Sequence, residues 1–464
     1  MNTTPFILLI QPWIYDFAAF DLWIRPLGLL TLASVLQQIG CGVHLIDCLD
    51  AGHPAMRLIT DIRQPVRKQD GRGHFHRCEI KKPACLSTVP RKYCRYGITP
   101  EVFLDELKAI PRPHAILVSS MMTYWYPAVV DCIRLTKEIF PNVPLVLGGV
   151  YATLCPDHAQ AHTRADYVLP GPLTPELFAA LARIIGIDPK ADGLDFFPEP
   201  AYSLMRDTTT IPLMTSQGCP LRCPYCASSL LHPHFIQKQP DKVFATLLRW
   251  YQRGATDFVF YDDALLVYAE THIIPLLQRV IDHRLDVRFH APNGMHIRLI
   301  NDRIAGLMRE AGFRTIRLSL ETVDPEVEHY IGAKSGKREF EKAVSLLLRA
   351  GFDHQDIGVY ILAGLPFQKA DSVAHTIEFV QSCGVRPIIA EYSPIPGTAL
   401  WDDACACASL PIAQEPLFHN NTLLPCQWQG FTLDDLVRLK QRARMPFANA
   451  QTNASRQNFF GNVD

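Results

Sequence analysis

Met214-Thr-Ser-Gln-Gly-Cys219-Pro-Leu-Arg-Cys223-Pro-Tyr-Cys226 is the stretch around which the chain is organised. Its three cysteines, separated by three and then two residues, share one short loop. Pro220 and Pro224 stiffen that loop, and Gly218 permits its sharp entry. A loop this tight turns three sulfurs toward one metal centre. Two chemistries accept such a trio. A cubane iron–sulfur cluster wants four ligands, usually all cysteine, so a loop offering three leaves one iron open to a substrate or cofactor. A zinc site of Cys3His type is the other, with His232 or His234 as the fourth ligand, although structural zinc usually closes with paired Cys/His spacing.

The pattern Cys-x3-Cys-x2-Cys, with the aromatic Tyr225 just before the last cysteine, resembles the signature of the radical S-adenosylmethionine (SAM) enzymes. That resemblance implies a 4Fe–4S cluster held by Cys219, Cys223 and Cys226, with SAM chelating the open iron. It also implies reductive cleavage of SAM to a 5′-deoxyadenosyl radical, and an electron donor such as flavodoxin or ferredoxin.

The bulk numbers are compatible with this reading. At 464 residues, 48% of them apolar, the chain is long enough for about two or three domains with large cores. Lys+Arg 45 against Asp+Glu 46 gives no electrostatic case for nucleic acid or an anionic membrane. The fourteen cysteines are scattered, unlike the dense framework of a small secreted protein. No window approaches the eighteen uncharged apolar residues of a membrane helix. The first apolar run, Pro5 to Ile10, is too short for a signal sequence and lacks a basic start. The expectation is a protein of the reducing cytoplasm.

Ahead of the cysteine loop, continuous apolar runs alternate with helical periodicity. The runs at 5–10, 43–47, 115–118, 144–149 and 165–169 read as strands buried on both faces, with helices at 29–38 and 126–140. Alternation of this kind predicts a doubly wound, Rossmann-like parallel sheet binding ligands at its C-terminal strand ends. Arg25-Pro-Leu-Gly28, Gly148-Gly149-Val150-Tyr-Ala-Thr153 and Asp166-Tyr-Val resemble, in that order, the cobalamin-binding domain that precedes many radical SAM domains. The likeness implies cobalamin contacts from Ser119, Ser120, Tyr124, Gly148, Gly149, Val150 and Gly171. Physically, the glycines let backbone approach a bulky ligand, and the serine hydroxyls can bond a nucleotide tail. The Asp-x-His-x-x-Gly element supplying an axial histidine in other cobalamin proteins is absent from this sequence. Met121, Tyr124 and Trp125 are candidates to face the corrin instead. The first domain is placed at 1–185. Its irregular, basic and aromatic insertion at 50–100 is expected to close over the cleft between domains. His74, His76 and Cys78 within it form only a weak metal pattern.

A Pro- and Asp-rich linker at 186–207 follows. From 208 to 400, strand-like segments at 211–214, 257–261, 287–290, 315–320, 357–362 and 388–392, each followed by a helix, suggest six βα units. This is the partial (βα)6 barrel that the radical SAM resemblance implies, with chemistry at the C-terminal strand ends. There the family likeness implies SAM contacts from Tyr225, Asp262, Asp263, Asn293, Ser319, Glu321 and Gly364. Adjacent acids in a strand point to opposite faces, so only one of Asp262 and Asp263 looks into the barrel. Residues 401–464 read as a C-terminal extension over the barrel mouth; the spacing of Cys405, Cys407 and Cys426 suits a second cluster poorly.

The implied function is a cobalamin-dependent radical SAM methyltransferase acting on a small-molecule or peptide substrate, its catalytic residues unassigned. Three alternatives stand beside it: a rearrangement or cyclisation without methyl transfer, a non-catalytic sensor carrying cluster and corrin, and an RNA-modifying enzyme.

Overall fold

The computed structural model describes residues 4–60, 62–188, 193–332 and 336–445. The chain divides into two compact units, 1–212 and 213–464.

The first unit contains β1 (Phe6–Gln11), β2 (Ile14–Asp16), β3 (Gly42–Asp47), β4 (Arg77–Glu79), β5 (Cys94–Tyr96), β6 (Ala115–Val118), β7 (Leu145–Leu147) and β8 (Tyr167–Val168). Five of these form a parallel sheet in the order β3-β1-β6-β7-β8. The strand sequence Phe-Ile-Leu-Leu-Ile-Gln of β1 is buried almost throughout because helices cover both faces. Leu29, Ala33 and Leu36 of the helix Leu27–Gln38 pack on Ile7, Leu9 and Leu117, and so does Phe178 of the helix Pro175–Ile185. That second helix opens with Thr174 accepting from the Leu177 amide and ends on Gly186 at φ 70°. A cap of this kind is worth about 1 kcal/mol. The strand order reverses between β1 and β6, and a doubly wound sheet binds its ligand at such a point.

The insertion carries a small sheet and core of its own. β4 and β5 join β2 in an antiparallel sheet of order β2-β5-β4. Phe75, Cys94 and Tyr96 pack with Ile14 and Leu49 into a small core of their own. His76 is buried while His74 and Cys78 are exposed, so this trio does not gather. Residues 195–201, expected within a spacer, bond to the first helix instead. Ser34 Oγ donates to the Glu199 carbonyl at 2.7 Å, and the Ala201 amide to Leu30 at 2.9 Å. Residues 189–192, within the expected linker, lie outside the described residues.

The second unit begins at the last residue of β9 (Thr210–Leu213) and continues through β10 (Ser216–Gln217), β11 (Ile236–Gln237), β12 (Asp257–Phe260), β13 (Arg288–His290), β14 (Met295–His296), β15 (Phe313–Glu321), β16 (Ile357–Ala363) and β17 (Arg386–Glu391). Its main sheet runs β17-β16-β15-β13-β12-β9, with β14 alongside β15, and helices alternate with the strands. Phe260, Phe289 and Phe313 cluster in its interior, with centroids 5.3 to 5.7 Å apart. β17 is followed by the short helix Trp401–Cys407 and, further on, by the helix Leu433–Ala443, which lies inside the expected extension and packs on the helix Ala370–Ser382 and on β17. Thr432 and Asp435 form its capping box. The polar end of the chain, from 446 onward, lies outside the described residues.

The candidate site at the barrel strand ends

The cysteine loop begins where the chain leaves β9, and a buried polar network fixes that departure. Asp262, just past β12, is 3% exposed. Its carboxylate accepts from Thr215 Oγ1 at 2.6 Å, Ser216 Oγ at 2.5 Å and the Thr215 amide at 3.3 Å. Burial pushes this carboxyl up, and those hydrogen bonds oppose the shift. Thr215 Oγ1 also lies 2.8 Å from His272 Nε2. His272 is 2% exposed and lowered to about 4 by burial, so it is neutral at pH 7. Gly218 follows at φ 75°, and a Cβ there would come 2.7 Å from the His234 carbonyl and 3.0 Å from that of His232. Only glycine fits the entry.

Beyond that entry the three thiols are half-buried and unpaired in disulfides. The Cys226 thiol is pushed up by burial and by its neighbours Cys223 and Cys219, while the Ser228 amide donates to its sulfur at 3.4 Å. Among the described residues no three His, Cys, Asp or Glu side chains converge on a single ion. Tyr225 donates to Glu321, which ends β15 at φ 72° beside an irregularity in the β15–β16 register. Burial raises the Tyr225 phenol, with Glu321 adding to the effect, so it remains a donor.

A pocket at these strand ends is lined by Leu221 of the cysteine loop together with Asp262, Asp263, Asn293, Gly294 and Ser319. Asp263 is the exposed acid of its pair and accepts from Ser228 Oγ at 2.5 Å. Asn293 Nδ2 bonds the Tyr261 and Asp262 carbonyls at 3.0 and 3.2 Å. A Cβ at Gly294 would meet Ser319 Oγ at 2.0 Å, so backbone and hydroxyl touch there. Gly364, at φ 86°, lies at the end of β16, and a Cβ on it would strike Leu424 at 2.5 Å. The Leu400 amide donates to the Pro224 carbonyl at 3.0 Å, so the chain beyond β17 ties back to the cysteine loop. Cys407 Sγ lies 3.5 Å from the Cys426 carbonyl, and burial pushes the Cys426 thiol up.

In the first unit the expected residues also gather at strand ends. Gly149 follows β7 at φ 91°, where a Cβ would come 2.3 Å from the Ser120 carbonyl and 3.2 Å from Ser119 Oγ. Ser120 holds this turn: its hydroxyl donates to Gly148 O at 2.7 Å, and its carbonyl accepts from Val150 at 2.8 Å. Gly171 donates to Thr153 Oγ1 at 3.0 Å and has open space where a side chain would stand. Tyr124 is buried edge-on to Trp125, whose indole donates to Asp16 at 2.7 Å; Met121 is half-buried. His158 was not singled out from sequence; its Nδ1 lies 2.6 Å from Tyr151 Oη, and its ring stacks on His162. The His158-x3-His162 spacing on one helix was the available signal. His272 had none.

Residues 213–380 match the radical SAM superfamily. The second unit thus contains a radical SAM domain. The chain is 26% identical over 379 residues to an uncharacterized methyltransferase of Pyrococcus horikoshii, covering 73% of this chain and 77% of that protein. It is 25% identical over 283 residues to a hopanoid C-2 methylase of Rhodopseudomonas palustris, covering 56% and 52%. Among solved structures it resembles the radical SAM methyltransferase TsrM of Kitasatospora setae, with a TM-score of 0.63 at 14% identity over 88% of this chain and 78% of that one. The cobalamin-dependent radical SAM enzyme OxsB gives 0.57 at 12% identity, over 99% of this chain and 63% of that one. At such identities the structural likeness concerns the fold, and it extends beyond the radical SAM domain.

Proposed function

We propose that the protein is a cobalamin-dependent radical SAM methyltransferase. The observation that carries this reading is that Leu221 of the three-cysteine loop lines the same strand-end pocket as Asp263, Asn293 and Ser319. Cys219, Cys223 and Cys226 would hold a 4Fe–4S cluster. Their donor set suits it, being three thiols in one loop with a backbone amide aimed at one sulfur. The turn at Gly148 and Gly149, with Ser119, Ser120 and Gly171, would take cobalamin, since it sits at the strand ends of a doubly wound sheet and Gly148 and Gly171 leave the space of a side chain open. Methyl transfer is favoured over rearrangement by the two relatives named as methyltransferase and methylase.

When bound, cluster and SAM supply a 5′-deoxyadenosyl radical and cobalamin supplies a methyl group. The chain's own groups position and enclose. Asp263 and Ser319 offer hydrogen-bond acceptors at the pocket, and Tyr225 fixes the Glu321 carboxylate at the end of β15. Phe260, Ala291 and Met295 give the pocket its apolar wall and exclude water from it. The substrate class is a small molecule or peptide, and an external protein supplies electrons. No described helix is long and apolar enough to cross a membrane. None of the fourteen cysteines is joined in a disulfide, which suits the reducing cytoplasm.

The test is anaerobic reconstitution followed by metal analysis and incubation with SAM and a reductant. About four irons and about one cobalamin per chain are expected, with 5′-deoxyadenosine formed and a product heavier by one CH2 unit. Zinc in place of iron would overturn the reading. Iron without cobalamin binding would remove the methyltransferase part alone.

A further inference from the structure

The insertion is a basic island in an otherwise slightly acidic chain. Residues 57–95 hold eleven Lys and Arg against three Asp and Glu, while the whole chain has a net charge of −1. The charge is densest on the ribbon of β4 and β5, where Arg77, Lys81, Lys82, Arg91, Lys92 and Arg95 stand against one acid, Glu79. Lys92 pairs with that acid at 2.6 Å, and Lys82 donates to the Val89 carbonyl at 2.6 Å. Arg91 lies over the Phe17 ring, 5.3 Å from its centroid. Arg77 and Lys81 are exposed and have no ion pair among the described residues. Beside the ribbon runs a groove of about 430 Å³ lined by Tyr15, Lys81, Lys82, Tyr93, Arg95 and Arg134. The acid on its far wall, Asp131, is already engaged, accepting from Tyr15 Oη at 3.0 Å and lying 3.6 Å from Arg134. The groove therefore presents uncompensated positive charge.

Gathering like charges on a packed three-stranded sheet costs self-repulsion, so an anionic partner is the natural complement. Nucleic acid is the weaker match. Its sequence-tolerant binding needs exposed rings for stacking, whereas Phe75, Tyr93 and Tyr96 of this subdomain are 4%, 2% and 4% exposed. A protein surface rich in carboxylates needs only the charge. The proposed chemistry also demands one electron from outside for each SAM cleaved, and redox encounters use small, electrostatically steered interfaces.

Resting on the proposed function, we infer that the β4–β5 ribbon is the docking surface for an acidic one-electron donor protein of flavodoxin type. One electron passes from donor to enzyme, oxidising the one and reducing the other, and no bond forms between them.

The deciding measurement is direct binding of a flavodoxin to the whole enzyme, read by anisotropy at low and high salt. Salt should weaken binding, and the variant K81E/R91E/K92E should weaken it about tenfold or more at low salt. The charge-reversed control K108E/R112E, elsewhere on the same unit, should bind like wild type. Circular dichroism establishes that each variant is folded. In turnover, the ribbon variant should show a raised KM for reduced flavodoxin but an unchanged rate with titanium(III) citrate. Absent binding, or binding equal in wild type and ribbon variant, overturns the docking surface. So does retention of bulk RNA that the ribbon variant alone loses, which assigns the island to nucleic acid. Failure of titanium to drive SAM cleavage in wild type strikes the radical SAM reading instead, and the binding result still decides the surface.

Discussion

Asp47, the last residue of β3, has its carboxyl pushed up to about 7, chiefly by desolvation, with Asp50 and Asp21 adding to it and Arg25 opposing. An unfolded aspartate titrates near about 4. Between those values the unfolded chain gives up a proton that the folded chain keeps, so stability falls as pH rises from about 4 to about 7 and then levels off. Asp47→Asn keeps an acceptor for the Leu49 amide, now 2.9 Å from Asp47 Oδ1, and removes the titration. Its melting temperature should equal wild type near pH 4 and exceed it by at least about 2 °C at pH 8. A constant difference at every pH would refute this. Single residues of this kind were only partly legible in the sequence. Gly218 and Gly149 could be marked as turns because the residue type announces the backbone. The backbone atoms that forbid a side chain at each came only with the fold.

At the scale of elements, the strand that delivers the cysteines is held by groups far apart in the chain. Thr215, Asp262 and His272 meet through one hydroxyl, and removing it strips partners from a buried carboxylate and a buried imidazole together. Thr215→Val should therefore cost about 1–3 kcal/mol, and Thr215→Ser should restore most of it. Reconstituted Thr215→Val should also lose iron faster in air than Thr215→Ser, which separates a positioning role from stability alone. Equal iron loss in the two variants would leave only the structural role. The apolar runs of both parallel sheets were readable because covering both faces leaves no polar alternation. The strands β4 and β5 were not, since three residues are too few to show a period. Likewise the helix Leu433–Ala443, set some forty residues beyond β17, reads as a tail until its packing on Ala370–Ser382 is seen.

For the molecule as a whole, the proposed cofactors fall on different units: the three cysteines on the second, and the Gly148–Gly149 turn on the first. Each set is built from local backbone geometry within its own core, so damage to one should leave the other's ligand in place. Replacing Cys219, Cys223 and Cys226 together by Ala should abolish bound iron, because no other described residues offer a comparable thiol loop. Cobalamin should remain at about one per chain. Gly149→Val should do the reverse. A β-branched residue at φ 91° is strained by about 1–3 kcal/mol before the clash with the Ser120 carbonyl is counted. The turn must then move away from Ser119 and Ser120, while the cysteine loop is untouched. Metal analysis of iron and cobalt in the two variants, each shown to be folded by circular dichroism, gives a crossed result if the assignment is right. Loss of both metals in either variant would mean that the corrin and the cluster do not occupy the independent sites assigned to them.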